Sequence, residues 1–500
     1  MGHLLSEREL DELEYADKAA FHSPIPTQMV SNGEFNPLPQ NERQKHVESR
    51  IKALADDIGG RQGLSRRAFL QTTCGMATAF LAMNEVYGPV FSVKEAEAAD
   101  PELALARAET LRHQFVMDVQ THFVRDEFEM DGLLGLANFA AEHWNPAISK
   151  ENINLGMYKF ENYLKEVFVD SDTDVALLSG APFDDPNWVL LYNDQMARAR
   201  NIVNETAGST RMLAHSVIRP TQDGWMDEVD EAIETLHPDS WKAYTIGDPF
   251  GTSKFPWRLD DEELVYPFYE KALKAGITNV CVHKGLMPYD YETAHPASWQ
   301  YATVWDVPKA AKDWPDLNFI IYHAACQPFL ELPDRQLAEF EDTGYIRWAS
   351  DLARIPEEHG VTNVYAELGT VFANCCVTHP PLAAGLVATL VKGMGADHVV
   401  WGTDSPLYGS PQWQIEALRR IEVPEALQQK FDLAPLGDAT SMVKNAILGL
   451  NSARLYSLDL NTQRAALPGD KFAEMRARFG SPDGYHSNRS NAAYGYVTTA

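Results

Sequence analysis

The stretch NFIIYHAA (318–325) is one of eight short apolar, β-branched runs that decide the fold. The other seven are FVMDVQTHF (115–123), TDVALLSG (173–180), RMLAHSVIRP (211–220), SWKAYTIG (240–247), TNVCVHKGL (278–286), TNVYAELGT (362–370) and DHVVWGTDS (397–405). Near-continuous apolar runs of this length are typical of strands that are covered on both faces, as in a parallel sheet. The sequence therefore predicts eight parallel strands.

Helix-like segments separate these runs, for example DDEELVYPFYEKALKAG (260–276) and PQWQIEALRRI (411–421). Eight β–α alternations in a row favour an α/β fold of the (β/α)8 TIM-barrel type over an open doubly wound sheet. The open sheet is the alternative, but no GxGxxG motif follows the first run to mark a dinucleotide site. We expect the barrel to span residues 112–460.

In such a barrel the catalytic side chains lie where the strands end, at the C-terminal mouth. Polar side chains occupy these positions in most of the predicted strands. They are Gln120 and His122 in strand one, Lys242 in strand four, His283 and Lys284 in strand five, His323 in strand six, Glu367 in strand seven and Asp404 in strand eight. Imidazoles and carboxylates that converge from separate strands are typical of a divalent metal site.

The pattern resembles the amidohydrolase superfamily, in particular the amidohydrolase-related branch that contains aminocarboxymuconate-semialdehyde decarboxylase-like proteins. The resemblance runs from about residue 112 to 458 and includes NFIIYHAA, WGTDSPLYGSPQWQIEALRRI (401–421) and ILGLNSARLYSLD (447–459). It implies one divalent metal ion, with zinc as the first expectation and manganese or iron as alternatives. The implied ligands are Gln120, His122, His283, His323 and Asp404.

Gln120 departs from the family pattern, which has a histidine or, in some decarboxylases, a glutamate there. An amide oxygen is a weaker ligand than an imidazole or a carboxylate. We therefore expect a metal that rests mainly on His122, His283 and Asp404, with His323 as a further candidate ligand.

The resemblance implies a hydrolase of a small amide, ester or lactone, with Asp404 as general base toward a metal-activated water. His323 is then the second catalytic residue, as oxyanion stabiliser or acid–base partner. A metal-dependent non-oxidative decarboxylase of an aromatic or unsaturated carboxylate is the alternative, because both reactions use nearly the same ligands. A metal-free binding or scaffold barrel is a second alternative, and Gln120 is its main support.

Lys284, Lys242 and Trp144 are the candidate substrate-binding residues. Lys284 is placed to bind an anionic group, with an ordinary solvent-facing lysine as the alternative. Lys242 either pairs with Glu367 or Asp404 or, as in two-metal relatives, becomes carbamylated. Trp144 belongs to a long aromatic-rich insertion after strand one, from Val124 to about Asp170.

The chain ends lie outside the predicted barrel. Residues 1–64 read as a polar extension and residues 461–500 as a C-terminal tail. Residues 65–99 contain SRRAFL (65–70), an apolar run and AEAA (96–99), the order of a twin-arginine export signal. A retained helix that packs on the barrel is the other interpretation, so an exported and a cytoplasmic location both stay open.

Composition limits the partners. A formal net charge of −29 argues against nucleic acid, which needs a basic surface. The apolar run near residue 75 is shorter than the ~20 residues that a bilayer span requires, so we expect no integral membrane association. We expect a small-molecule substrate and a homo-oligomer.

Overall fold

A computed structural model describes residues 23–31, 40–128, 158–249, 251–287, 291–327, 333–479 and 497–498. Its centre is a sheet of eight parallel strands in sequential order. The strands are β1 (Met117–Thr121), β2 (Val175–Leu178), β3 (Met212–Val217), β4 (Ser240–Tyr244), β5 (Asn279–His283), β6 (Asn318–Tyr322), β7 (Val364–Glu367) and β8 (Val399–Val400). Each lies inside one of the runs identified from the sequence.

Backbone hydrogen bonds between β1 and the segment after β8 close the barrel. Val119 N donates to Trp401 O over 2.9 Å, and His122 N donates to Ser405 O over 2.8 Å. Between these two bonds, Asp404 N donates to Gln120 O over 2.9 Å. The prediction of a (β/α)8 barrel is confirmed, and its closing seam is the place where the residues after β8 meet the end of β1.

Helices surround the sheet and follow most of the strands. In chain order they are α1 (Glu42–Arg61), α2 (Arg66–Leu70), α3 (Thr73–Tyr87), α4 (Glu95–Ala99), α5 (Pro101–Leu111), α6 (Phe160–Leu164), α7 (Asn193–Ala207), α8 (Trp225–Glu231), α9 (Tyr266–Ala275), α10 (Tyr291–Ala294), α11 (Val307–Asp313), α12 (Pro333–Thr343), α13 (Ala349–His359), α14 (Val371–Thr378), α15 (Pro380–Met394), α16 (Gln412–Arg420), α17 (Glu425–Phe431), α18 (Met442–Asn445), α19 (Asn451–Leu455), α20 (Leu460–Ala466) and α21 (Lys471–Phe479). Short π-helical segments extend three of them, at Lys165–Val169, Ala232–Leu236 and Ala446–Leu450.

The N-terminal segment is more ordered than its polar composition suggests. Helix α1 buries Val47, Ile51 and Ala55 on one face, and its first turn is capped by Asn41, which accepts from Gln44 N over 2.9 Å. We call residues 40–111, which contain α1 to α5, the N-terminal layer. Its buried side chains belong to the same hydrophobic cluster as residues of the barrel.

The C-terminal segment also begins with regular structure, because α20 and α21 occupy residues 460–479. Asp470 fixes α21 to the barrel: it receives two hydrogen bonds from the Arg211 guanidinium, of 2.6 and 3.0 Å. Phe472 packs on Phe168 with ring centroids 5.0 Å apart. Residues 480–496 and 499–500 lie outside the described residues, and Val497–Thr498 form a short antiparallel strand pair with Val30–Ser31.

No helix in the described ranges has both the length and the apolarity that a membrane crossing needs. The insertion after β1 is described only at its ends, because residues 129–157 are outside the described part of the chain. The homo-oligomer expected from the sequence stays a prediction.

The barrel interior is an apolar layer below the mouth. Val119, Leu177, Leu213, Ile320 and other residues from most strands form one buried cluster there. We expect Ile320→Ala to lower the free energy of unfolding by about 2–5 kcal/mol, because the cavity cannot collapse inside a closed sheet.

Ile202 offers a matched control, since it lies on α7 with 45% of its surface exposed. Ile202→Ala should change the free energy of unfolding by less than about 0.5 kcal/mol. Denaturant titration of both variants measures the difference. Equal effects would contradict the interior position of Ile320.

Candidate metal centre

A bulge in β1 brings Gln120 and His122 to the mouth. The pairing register between β1 and β2 shifts between Asp118 and Thr121, a device that re-aims side chains near active sites. The buried Asp118 carboxylate holds this bulge: it accepts from Gln120 N and from Thr403 N, each over 3.1 Å. Burial raises the pKa of Asp118 to about 7. Asp118 thus joins the end of β1 to the segment after β8.

The Asp404 carboxylate contacts three neighbouring side chains. Its Oδ1 lies 2.7 Å from His122 Nε2 and accepts from Gln120 Nε2 over 3.0 Å. Its Oδ2 accepts from the Thr370 hydroxyl over 2.6 Å. Asp404 is 2% exposed, and burial alone would raise its pKa. The charge and hydrogen bond of His122, with His323 and Thr370, instead hold the pKa of this carboxyl well below its usual range.

His283 and His323 form a second pair. His323 Nε2 lies 3.1 Å from His283 Nδ1, and both rings are buried. Burial lowers the pKa of His323 to about 4 and the pKa of His283 well below its ordinary value. Both imidazoles are therefore neutral at pH 7, which is the state that binds metals.

Backbone carbonyl groups fix the ring orientation of two of the histidines. His122 Nδ1 lies 2.7 Å from Ser179 O, and His323 Nδ1 lies 2.8 Å from Gly369 O. A backbone carbonyl on Nδ1 places the proton there and leaves Nε2 directed at the centre, as is typical of metal-bound histidines. Because His122 Nε2 also faces the Asp404 carboxylate, a proton or a metal cation must lie between them.

Gln120 connects the two pairs. Its amide nitrogen donates to Asp404 Oδ1 and lies 3.5 Å from His323 Nε2. Its Oε1 is buried and accepts no hydrogen bond from any described residue. As placed, the donors meet in pairs: no group of three or more His, Cys, Asp and Glu side chains within the described ranges is spaced to share an ion.

The chemistry of these donors nevertheless fits a divalent ion. Three imidazole nitrogens, one carboxylate and one amide oxygen form a mixed N/O set of the kind that zinc, manganese and iron accept. A half-turn of the Gln120 amide would bring the unsatisfied Oε1 inward and move the donating nitrogen out. Neighbouring donor atoms lie 2.7–3.5 Å apart, from the His122 Nε2–Asp404 Oδ1 contact to the Gln120 Nε2–His323 Nε2 contact.

Two glycines make room for the polar groups. A Cβ on Gly402 would lie 1.8 Å from Glu367 Oε1, and a Cβ on Gly369 would lie 2.2 Å from Gln120 Oε1. Glu367 accepts from His323 N over 3.0 Å and from Gly369 N over 2.5 Å, and thereby positions His323. Burial raises the pKa of Glu367 to about 8.

Lys242 lies in the barrel interior below the candidate metal ligands, and it contacts two aromatic rings, which the sequence did not suggest. Its ammonium is 3.4 Å from the centroid of the Tyr322 ring and 5.4 Å from that of Tyr244. Its charge also depresses the pKa of buried His215, after the larger effect of burial. Carbamylation of Lys242, and its expected ion pair with Glu367 or Asp404, stay predictions.

Lys284 does not contact the candidate metal ligands. It is buried, and its ammonium contacts Asp306 Oδ1 over 2.9 Å and donates to Tyr301 O over 2.9 Å. The residue next to His283 points to the other side of the sheet, so Lys284 is not a solvent-facing lysine, and its binding of an anionic group stays a prediction. Trp144 lies outside the described residues.

Sequence reasoning missed the residues that orient the donors. Thr370, Asp118 and the carbonyls of Ser179 and Gly369 each touch a donor or the loop that carries it. Backbone carbonyls leave no trace in a sequence. Thr370 did leave one, because it closes the run TNVYAELGT three residues after Glu367.

A model of the amidohydrolase family matches residues 117–458, more than half of the chain. This chain belongs to the amidohydrolase family. The resemblance seen in the sequence, including the amidohydrolase-related branch, is thereby confirmed. No curated protein matches the chain.

Several solved structures resemble this amidohydrolase. One is 5-carboxyvanillate decarboxylase from Sphingomonas paucimobilis, with 14% identity and a TM-score of 0.37 over 69% of this chain and 100% of that one. Another is 2,6-dihydroxybenzoate decarboxylase from Rhizobium, with 16% identity and a TM-score of 0.39 over 69% and 99%. A dihydroxybenzoic acid decarboxylase from Polaromonas, with bound manganese and the inhibitor 2-nitroresorcinol, has 14% identity and a TM-score of 0.38 over 70% and 99%. At these low identities and scores the likenesses carry no argument about activity.

The packing around Gly402 generates a prediction for this amidohydrolase. Gly402→Ala drives a methyl group into the Glu367 carboxyl, so we expect a loss of about 1–3 kcal/mol in stability together with displacement of His323. Thermal unfolding and the content of bound divalent metal measure the two effects. The control is Gly60→Ala in α1, where no atom lies within 4 Å of the added carbon and stability should rise by about 0.4–1 kcal/mol. A Gly402→Ala protein as stable and as metal-loaded as this control would contradict the account.

Proposed function

We propose that this amidohydrolase is a metal-dependent non-oxidative decarboxylase of a small aromatic or unsaturated carboxylate. The observation that carries the proposal is the engagement of both Asp404 oxygens. Oδ1 faces His122 and Gln120, and Oδ2 accepts the Thr370 hydroxyl over 2.6 Å. A carboxylate held in this way is suited to anchor positive charge, and it is poorly suited to collect a proton from an attacking water.

The charge balance of the donors supports an anionic substrate. Asp404 is the single carboxylate among the proposed ligands, and Gln120 contributes a neutral amide where a second charge could stand. A divalent ion on this set keeps a net positive charge in a buried space, which a substrate carboxylate or phenolate neutralises. Lys242, buried directly below, adds to the same preference.

When bound, the ion would supply an electrophilic anchor for the substrate oxygen atoms and stabilise the charge that develops there. His122, His283, His323 and Asp404 would hold it, and Gln120 would contribute Oε1. In the reaction the C–C bond to the carboxylate breaks, its electron pair stays on the substrate carbon, carbon dioxide departs, and a proton that comes from solvent water forms the new C–H bond.

Hydrolysis of an amide, ester or lactone is the second candidate. One observation favours it: Gln120 Oε1 is a buried acceptor without a partner among the described residues, and the same half-turn of the amide would let it hold a water molecule beside Asp404. In that reaction Asp404 acts as general base and His323 stabilises the oxyanion. Thr370 would then have to release Oδ2, which makes this candidate the weaker one.

Metal content tests whether the barrel is an enzyme centre or a scaffold. Protein purified from cells that were grown with zinc, manganese and iron should hold about one divalent ion per chain. His122→Ala should lower that occupancy at least tenfold, because it removes a ligand. His113→Ala is the control, since His113 is exposed just before β1 and should leave occupancy unchanged. Wild-type protein with no bound metal after such growth would favour the metal-free scaffold.

Product analysis separates the two enzyme candidates. The metal-loaded protein is incubated with a panel of aromatic and unsaturated carboxylates and, separately, of amides, esters and lactones. We expect carbon dioxide release and, in deuterium oxide, one deuterium on the carbon that lost the carboxylate. Asp404→Asn should abolish the release, and His113→Ala should not. Turnover of amides, esters or lactones without any carbon dioxide release would contradict the decarboxylase and establish the hydrolase.

A further inference from the structure

The twin-arginine motif lies inside a folded element. Ser65 caps α2 by accepting from Ala68 N over 3.2 Å, and Arg66 forms an ion pair with Asp56 of α1 at 3.2 Å. Phe69 and Leu70, the apolar end of the motif, are 0% and 1% exposed. The apolar end of the motif is thus packed into the fold, while Arg66 is half-buried and Arg67 is exposed.

The apolar run after the motif is buried on nearly all sides. Helix α3 buries ten of its fifteen residues, including Met76, Phe80 and Met83. Gly75 is packed so closely on α2 that an added Cβ would lie 2.5 Å from Phe69 O. The Phe80 ring packs on Phe91 at 4.8 Å between centroids and receives the Arg420 guanidinium at 5.4 Å. This helix fills the space between α1 and the barrel.

Backbone pairing ties the layer to the barrel after α16. Ser92 N donates to Arg420 O over 2.7 Å, and Glu422 N donates to Val90 O over 2.7 Å. These bonds flank an antiparallel bridge between Phe91 and Ile421. Asn84 of α3 stabilises the same turn by donating to Phe91 O over 2.7 Å.

A buried ion network involves residues on both sides of Ala99, the end of the segment that an export signal would lose. Glu97 binds the Arg420 guanidinium at 2.5 Å, and Arg420 also contacts Glu416 at 3.1 Å. Arg107 of α5 binds Glu416 at 2.8 Å. The side chains of Arg420 and Glu416 are 2% and 3% exposed. A chain cut after Ala99 would lose Glu97 and leave the buried Arg420 short of a carboxylate.

We propose that the N-terminal layer, including the twin-arginine motif, is a permanent part of the mature enzyme and is not a removable export signal. The layer positions the metal centre through α16. Gln414 of α16 donates to Thr403 O over 3.1 Å, directly before Asp404, and Glu416 and Arg420 on the same helix hold the layer. Helix α16 therefore contacts both the N-terminal layer and the segment that carries Asp404.

Intact mass spectrometry tests retention. The full chain with a C-terminal affinity tag is produced in a bacterium with an active twin-arginine pathway, beside the double variant Arg66→Lys, Arg67→Lys. We expect residues 65–99 to be present in both purified proteins, in the same cell compartment. A wild-type chain that begins near Asp100, matched by an uncut double variant, would overturn the proposal.

Charge removal within the network tests the contact itself. Glu97→Gln should lower the Tm by several degrees, because it removes the carboxylate from buried Arg420. Glu95→Gln on the same helix is the matched control, since Glu95 is exposed and should leave the Tm unchanged. Equal Tm values for the two variants would count against the layer's anchoring role.

Cutting the folded full chain tests the proposal even if truncated chains fail to fold. A protease recognition sequence is inserted between Ala99 and Asp100, and the purified full chain is cut. We expect the fragment before the cut to co-elute with the barrel in size-exclusion chromatography. A fragment that separates, with Tm and metal content of the barrel unchanged, would refute the proposal.

Discussion

The buried carboxylate of Asp404 is the charge around which the mouth of this barrel is arranged. It lies on the closing seam, where its own backbone N–H is bonded to Gln120 O. Its oxygens face His122 and Gln120, at the end of β1, and Thr370, which follows β7. A carboxylate that is 2% exposed is tolerated only with such partners, since an unpaired buried charge is strongly destabilising. The closing seam of the sheet and the candidate metal centre therefore share Gln120 and Asp404.

The positions of the donors followed from the sequence because a parallel barrel has a simple rule. Apolar runs gave the strands, and the polar residue at the end of each run had to face the mouth, as His122, His283 and Asp404 do. The same rule did not resolve Lys284, because alternation at the end of β5 turns it toward Asp306. Gln120 and His122 both reach Asp404 because β1 contains a bulge. The hydrogen bond from Thr403 N to the Asp118 carboxylate supports this bulge, and the periodicity of the sequence does not reveal it.

The N-terminal layer shows where composition misleads. Residues before 64 are polar overall, yet α1 concentrates Val47, Ile51 and Ala55 on one face. The run after the arginine pair reads equally well as a signal or as a buried helix, because both need small and apolar residues. The local sequence does not show the tertiary partners of this layer, such as the ion pairs of Arg420 with Glu97 and of Glu416 with Arg107. The helix that receives the layer also supports the loop that bears Asp404.

We propose that His122, His283 and Asp404, with the Gln120 amide, surround one cation. A crystal structure of the manganese-loaded protein, with anomalous data collected at the manganese edge, tests it most directly. The account predicts one anomalous peak at about 2.0–2.3 Å from donor atoms of His122, His283 and Asp404, with the Gln120 amide turned so that Oε1 faces the ion. No peak at the mouth, or a peak bound by other residues while His122 and Asp404 stay hydrogen-bonded to each other, would contradict it.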